Sequence, residues 1–561
     1  MIWTLPILLI TACVLLSVPL GRYMAWAVGD APGGIRSRLD AIVRTLGGSR
    51  VAGDQRWAGY MLSMLVFNAV MFVVVYAVLT TQASLPLNPD GKGNMAADLA
   101  FNTAASFTSN TNLQHYSGEQ SLSYVSQLFA IMWLQFVSAA TGIAALAALC
   151  RGLGGKPALG NFYRDLARVT MLILLPLALV VAVALVACGT PMTLQGSAVV
   201  TTLEGVTQTI ARGPVAAVVA IKQIGTNGGG YFGPNSTHPF ENPGFLSNII
   251  ENISILVIPM ACVWMFGRIV GSWKQAVVVF GAMLVLYAAF TGLAVTTEQA
   301  PAPALAGLPV QQEMNLEGKE LRFGASAGPL WAVSTTSTSN GSVNAMHDSL
   351  NPLTGLFPMI GMWLNVEFGG VGVGFINMFL FIITSVFIAG MMVGRTPEYL
   401  GKKVEAREMK LALLALLAHP LFILGGTALF AATPLGRDTV LNPGPHGLSE
   451  IVYEFSSAAA NNGSGFEGLG DNTPAWNIAT GVVMLLGRFI PIILPLAIAG
   501  PLASKNRLAE SAGSFRTDSV LFGIVLLGVV LVVGALLFLP LGMLGPVAEH
   551  LAVSAAASGG Q

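Results

Sequence analysis

Thr226-Asn227-Gly228-Gly229-Gly230 follows Val215 to Ile224, an apolar stretch of ten residues, and precedes a long apolar run. A ten-residue helix rises only about 15 Å, half of a hydrocarbon core, so such a stretch must dip in and return. Similar small-polar phrases recur at Ser109-Asn110-Thr111, Ser339-Asn340-Gly341-Ser342 and Asn461-Asn462-Gly463-Ser464-Gly465. Their central asparagines, counted from Asn110, lie 117, 113 and 122 positions apart. Each follows a short helix-like stretch: Asp98 to Phe107, Val215 to Ile224, Leu330 to Ser337 and Ser449 to Ala460. The third, rich in Ser and Thr, reads least clearly as a helix. A single Asn-Gly is an ordinary turn signal. Four at even spacing, each before a membrane-length run, read instead as a repeated unit of span, half-helix, phrase, span.

The rest of the chain agrees with a bilayer as its solvent. Of 561 residues, 54% are hydrophobic and 10% charged, and mean hydropathy is +0.70. Soluble domains carry about 25% charged residues. Ten spans follow: Ile2 to Leu20, Trp57 to Thr80, Gln127 to Cys150, Val169 to Ala187, Ile249 to Gly267, Ala276 to Ala294, Leu356 to Met392, Leu411 to Ala431, Trp476 to Ala499 and Val520 to Leu541. The first lacks a basic flank and a clear cleavage site, so it reads as a retained span. The expected fold is an all-α polytopic membrane protein: ten transmembrane helices, with four pseudo-symmetric span–pore–span repeats around a central ion pore. The units divide as 1–56 (an extra span and its loop), 57–150, 151–271, 272–408 and 409–505 (repeats one to four) and 506–561 (a second extra span). Asn242-Pro243, Asn351-Pro352 and Asn472-Thr473-Pro474 are helix-start signals after the phrases. Cys13, Cys150, Cys188 and Cys262 sit in or at the ends of apolar runs and read as free thiols.

Charge sets the orientation. Arg22, Arg36, Arg38, Arg44, Arg50 and Arg56 share one side with Arg151, Lys156, Arg164, Arg168, Arg268 and Lys274. Arg395, Lys402, Lys403, Arg407, Lys410, Lys505, Arg507 and Arg516 join them, making 20 of the 27 basic residues. The opposite side has six, Lys92, Arg212, Lys222, Lys319, Arg322 and Arg437. The first set is therefore cytoplasmic, both termini lie outside, and all four phrases face outward. Net charge is zero and no basic stripe exists, which argues against nucleic acid as a partner.

A dehydrated cation needs oxygen ligands in place of its water, and backbone carbonyls from four extended loops supply them. Glycine at Gly228, Gly341 and Gly463 permits the required dihedrals. Thr111 occupies that place in the first phrase, which makes the ring asymmetric. The candidate lining is Ser109, Asn110, Thr111, Asn112, Thr226, Asn227, Gly228, Gly229, Ser339, Asn340, Gly341, Asn461, Asn462 and Gly463, with Gln114 at the mouth. The phrases contain no acidic residue, which favours a monovalent ion.

Arg488 interrupts the ninth span in Leu485-Leu486-Gly487-Arg488-Phe489. A charge at that depth costs several kcal/mol, so it is read as functional, a barrier beneath the phrases. The structural reading pairs it with Glu251 or Glu367. Glu367-Phe368-Gly369-Gly370-Val371-Gly372-Val373-Gly374 breaks the seventh span. Four glycines there weaken a helix by about 1 kcal/mol each, making a gate or side opening. Small residues for close helix packing are the alternative. His419-Pro420 reads as a packed kink. Gly154-Gly155-Lys156-Pro157 is the nearest string to a phosphate loop and has proline where Ser or Thr is required. With no aspartyl-phosphate cassette and no large soluble domain, the chain is not expected to hydrolyse ATP alone.

Thr111-Asn112-Leu113-Gln114, Gly225 to Gly230, Glu367 to Gly374, Ala459 to Gly468 and Gly394-Arg395-Thr396-Pro397-Glu398-Tyr399-Leu400-Gly401-Lys402-Lys403 resemble the A subunits of bacterial Kdp potassium-transporting ATPases. The resemblance covers essentially the whole chain. It implies membership of the superfamily of potassium transporters and high-affinity uptake of K+ from the extracytoplasmic side of the bacterial inner membrane. Energy would come from a catalytic partner of the P-type ATPase class. A single-span protein, a small membrane protein and the lipid bilayer would be further partners. It also implies that Gln114 and Gly228 influence potassium affinity and selectivity, that Arg488 is the positive residue below the filter, and that the glycine-rich break is the gate loop. The alternative is a gradient-driven potassium channel or symporter of the same superfamily, acting without an ATPase.

Overall fold

The computed structural model describes residues 2–30, 33–156, 158–302, 305, 314–506 and 516–559. Pro157 and Arg507 lie outside the described residues. Ten described helices are long and apolar enough to cross a membrane: Thr4–Ala27, Trp57–Ser84, Ser126–Leu153, Phe162–Cys188, Phe245–Val270, Trp273–Glu298, Val373–Met392, Ala406–Ala432, Pro474–Ser504 and Val520–Ala555. All four cysteines are free.

The seventh span differs from the 37-residue run read in the sequence. It is two helices, Pro352–Leu364 and Val373–Val393. Pro352 opens the first at its N-terminal turn, where a missing N–H costs nothing. Asn365, left-handed at φ 49°, ends it. Between the two, Gly369 and Gly372 also take positive φ (56° and 80°), which glycine tolerates. Phe368 sits at φ 91°, a genuine strain for a bulky residue, held by packing against Phe280 and Tyr287.

Burial sorts the spans into centre and rim. The third and fifth spans are largely buried, as helices at the middle of a bundle must be, and their buried polar residues, Ser138 and Glu251 among them, find partners inside the protein. The second and eighth leave most of their length open, with Leu62, Val66, Val70 and Val73 forming a lipid-facing stripe. Small residues set the close approaches. The first span crosses the fifth at Gly21, where any Cβ would strike the Ala261 carbonyl and Trp264.

Four shorter helices precede the phrases: Ala97–Thr108, Val215–Ile224, Ala327–Ser337 and Pro445–Ala460. The third forms despite its Ser and Thr because the hydroxyls bond back into their own helix. Thr336 donates to the Ala332 carbonyl and Thr338 to the Ser334 carbonyl, both at 2.8 Å.

At the opposite end the basic loops lock together. The Arg151 guanidinium donates to both oxygens of Asp165 (2.6 and 2.8 Å) and to the Val28 carbonyl (2.7 Å). The Lys402 ammonium donates to the Leu502 carbonyl at 2.7 Å. Among the elements not anticipated, three stand out. Helix Gly34–Ala52 follows the first span and is tied by Asp40 to Arg168; a hairpin pairs Ala198–Thr201 with Thr207–Ile210; and a two-residue hairpin pairs Glu398–Tyr399 with Lys402–Lys403.

Candidate functional site: a ring of four phrases

Each short helix ends in the same backbone figure. The N–H of Thr111 donates to the Ser106 carbonyl (2.8 Å), Asn227 to Lys222 (2.9 Å), Asn340 to Thr335 (2.8 Å) and Asn462 to Ser457 (2.9 Å). The residue before each of these donors is left-handed: Asn110 at φ 61°, Thr226 at 45°, Ser339 at 48° and Asn461 at 53°. So is the residue after it: Asn112 at 69°, Gly228 at 78°, Gly341 at 92° and Gly463 at 104°. This figure corrects the sequence alignment by one residue in the first phrase. Thr111 matches Asn227, and Asn112 rather than Thr111 stands at the glycine position. The reason is steric, since asparagine tolerates the left-handed region and a β-branched threonine does not. Thr226 is the costly exception, and its hydroxyl is held by the N–H of Val371 at 3.0 Å.

The four phrases close a ring. A Cβ on Gly228 would strike the Asn340 carbonyl, one on Gly341 the Asn462 carbonyl, and one on Gly463 the Thr111 carbonyl. Gly229 lies equally close to the Asn112 side chain, which brings the second phrase back to the first. Side chains lace the same neighbours. Asn110 donates to the Thr226 carbonyl (3.0 Å), Asn340 to Lys222 (3.3 Å), Asn462 to Thr335 (2.8 Å), and Asn461 to the Thr111 hydroxyl (2.9 Å). The Ser109 and Thr111 hydroxyls share a further bond at 2.5 Å.

One edge of the ring opens on a cavity of about 520 Å³, lined by residues including Asn112, Gln114, Asn235, Gly341, Gly463 and Asp471. Gln114 is fixed there by both of its amide atoms. Its oxygen accepts from the Gly230 N–H (2.8 Å) and its nitrogen donates to the Gly230 carbonyl (3.2 Å). Glu467 also faces the cavity; burial pushes its carboxyl up to about 8.

The other edge meets the glycine-rich break. The Gly369 N–H donates to the Ser337 carbonyl at 2.7 Å, and Glu367 accepts from the Ser337 hydroxyl at 2.8 Å. Gly370 lies against Ser339, and Gly374 packs so tightly on Phe368 that no side chain fits. Gly372 meets the backbone of Gly142 in the third span equally closely. The break therefore touches the second and third phrases and the helix behind the first. Arg488 joins it there. Its Nη2 donates to the Ser138 carbonyl at 3.1 Å, and the Ser138 hydroxyl in turn donates to Asn110 (2.8 Å). Neither Glu251 nor Glu367 pairs with it among the described residues. Glu251 accepts instead from Gln223 and Ser236, both at 2.7 Å. His419 stands in a packed kink, its Nε2 3.0 Å from the Met362 carbonyl oxygen.

Lys222, counted in the sequence only among the outer basic residues, is fully buried in the second short helix. Its ammonium donates to Asn235 (2.6 Å), to Ser236 (2.7 Å) and to Glu241. Asn235 then donates to the Gly228 carbonyl at 2.6 Å. A lysine inside a ten-residue apolar stretch was the available signal. Asn365 was also missed: it accepts from Ser339 (2.9 Å) and donates to the Ala460 carbonyl (3.2 Å), joining the third and fourth phrases.

The family model described as potassium-transporting ATPase A subunit matches residues 7–551. A relative from Geobacillus kaustophilus (strain HTA426), named potassium-transporting ATPase potassium-binding subunit, is 47% identical over 545 residues, covering 96% of this chain and 97% of the relative. In fold the chain is similar to the crystal structure of the potassium transporter TrkH from Vibrio parahaemolyticus. That likeness has a TM-score of 0.51 at 16% identity and covers 86% of this chain and 97% of the other. A match over nearly the whole chain, by family model and by curated relative together, shows that this multi-pass membrane protein belongs to the family of potassium-transporting ATPase A subunits.

Proposed function

We propose that the ring is the potassium-selecting site of a high-affinity, ATP-driven uptake complex in the bacterial inner membrane. Four span–pore–span units, 57–150, 151–271, 272–408 and 409–505, each contribute one phrase, and the spans in 1–56 and 506–561 stand outside them. Potassium enters from the extracytoplasmic side, where both termini lie, through the cavity beside Gln114. It sheds water onto carbonyls of the phrases, which the paired left-handed residues orient. The helix ends behind the phrases add partial negative charge. The closed cyclic contact of four identical backbone figures is the observation that carries this reading.

Straight passage inward is opposed by the glycine-rich break and Arg488. A fixed positive charge 4–8 Å from a potassium ion costs about 2–4 kcal/mol at an effective dielectric near 20. The ion therefore leaves the ring sideways, and Glu367 and the glycines act as the gate. The chain itself hydrolyses nothing. A P-type ATPase partner supplies energy, and a single-span protein and a small membrane protein complete the complex. The family assignment favours this over gradient-driven conduction.

Gly228→Asp tests the ring. Its side chain has no room beside the Asn340 carbonyl, so the intact complex should lose at least tenfold in apparent potassium affinity. Unchanged uptake kinetics would remove the ring from the ion path. Growth at micromolar potassium separates the rival: rescue by this chain without an ATPase partner would favour the gradient-driven transporter.

A further inference from the structure

A second constellation lies beside the cavity and reaches it through Asp471. His115 follows the first phrase, Glu454 belongs to the fourth short helix, and Asp471 follows the fourth phrase. His115 Nε2 lies 3.0 Å from Glu454 Oε1 and 3.9 Å from Asp471 Oδ2, and the three ligand atoms lie within 4.8 Å of one another. The His115 side chain is fully buried and Glu454 nearly so, whereas Asp471 keeps 28% of its side chain open.

The tautomer of His115 is decided by its other neighbour. Asn477 donates its amide to Asp98 (2.8 Å) and to Asn472 (3.3 Å), which turns its oxygen toward His115 Nδ1 at 2.7 Å. That oxygen only accepts, so Nδ1 carries a proton. Nε2 then aims at two carboxylates. A lone pair facing two anions in a buried place is untenable, so a cation sits between them: a proton or a metal ion. Zinc bonds His nitrogen and carboxylate oxygen at about 2.0–2.2 Å, which sets tetrahedral ligands about 3.3–3.6 Å apart. The spacings of 3.0 and 3.9 Å bracket that value. Asn477 and Asp98 form the outer chain of hydrogen bonds that orients a metal-binding imidazole.

We propose that His115, Glu454 and Asp471 form a binding site for a divalent cation of the zinc class, with a water from the cavity as fourth ligand. Loading exchanges the Nε2 proton for the metal, so one proton is released for each ion bound. The metal would stand at the cavity wall a few residues from the first and fourth phrases and add positive charge on the potassium entry side. That consequence rests on the ring as the selecting site; binding does not.

The test uses the purified full-length chain, titrated calorimetrically with Zn2+ in buffers of different ionisation enthalpy and spectroscopically with Co2+. One Zn2+ per chain, about one proton released and a visible Co2+ band of tetrahedral intensity are expected. His115→Gln should abolish all three. Asp471→Asn, an isosteric change at the most open of the three residues, should weaken binding at least tenfold. Absence of stoichiometric binding to the wild type, or binding equal in wild type and both variants, overturns the site. In the whole complex, Zn2+ should inhibit potassium-stimulated ATP hydrolysis in the wild type and much less in Asp471→Asn. Site-dependent binding without inhibition would uphold the site and count against the entry route.

Discussion

Two buried arginines touch the third span and have opposite surroundings. Arg151 stands at its inner end, with both oxygens of Asp165 and the carbonyls of Leu159 and Val28 around its guanidinium. Tyr60 completes the set by donating to Asp165 at 3.0 Å. Arg488 meets the same helix at Ser138, thirteen residues and roughly 20 Å away along its axis. It has one carbonyl bond and no carboxylate among the described residues. Burying a charge without a partner is expensive. A fold selected for stability alone would treat both arginines as it treats Arg151. An unpaired Arg488 supports the proposal that its charge is kept available for an ion passing the ring.

The largest effect is expected where the paired arginine loses its main partner. Asp165→Ala removes the bidentate partner of the buried Arg151 charge and leaves only the more distant Asp30 carboxylate at 3.6 Å, so it should cost about 3 kcal/mol. Thermal unfolding of the purified chain would show it, and a midpoint near wild type would refute the structural role. Arg488→Met should behave in the opposite way. Replacing an unpaired buried charge by an apolar side chain is neutral or stabilising, by up to about 1–4 kcal/mol. Function should suffer instead: in the complex, ATP hydrolysis should lose its coupling to potassium uptake, or the ion should leak inward, while selectivity persists. A variant that keeps coupling and loses selectivity would move Arg488 from the floor of the ring into its lining.

A smaller effect concerns the strained places in the ring. Asn112→Val puts a β-branched residue at φ 69° and should destabilise by about 1–2 kcal/mol, whereas Asn112→Gly should stay within about 1 kcal/mol of wild type. Equal losses in the two would mean that the Asn112 side chain, not its backbone, matters there.

How much of this was legible follows from where each signal resides. Ten spans, the four short helices and Arg488 were readable because hydropathy, length and a charge in an apolar run are local. Asn227, Gly228, Asn340, Gly341, Asn462 and Gly463 were readable because asparagine and glycine advertise turns. The register of the first phrase was not, since Asn110 resembles the other central asparagines and only the fold reveals that Thr111 takes their place. The burial of Lys222 was not legible because its partners Asn235, Ser236 and Glu241 lie 13 to 19 residues downstream and meet it only in three dimensions. The break was legible as glycine. Its bonds to Thr226 and Ser337 depend on two phrases from different repeats.

The smallest effect is expected where a paired cation can lose its charge by losing a proton. His446 opens the fourth short helix, with Nδ1 2.9 Å from Glu549 of the last helix, Nε2 2.9 Å from Asp348 and Glu450 at 4.0 Å. Burial alone would lower its pKa; the hydrogen-bonded carboxylates of Asp348 and Glu549 overcome this and raise it to about 10. The unfolded value is about 6.5. A raised folded pKa means that the folded state holds its proton more tightly. The stabilisation is therefore complete below about pH 6.5 and fades as pH climbs through about 10. Water still reaches the imidazole, so the whole effect should stay near 1 kcal/mol. The unfolding midpoint of the wild type should fall between about pH 7 and 10.5 by more than that of His446→Gln, which has no proton to lose. Parallel pH profiles would show that the last helix is held by apolar packing rather than by this cation.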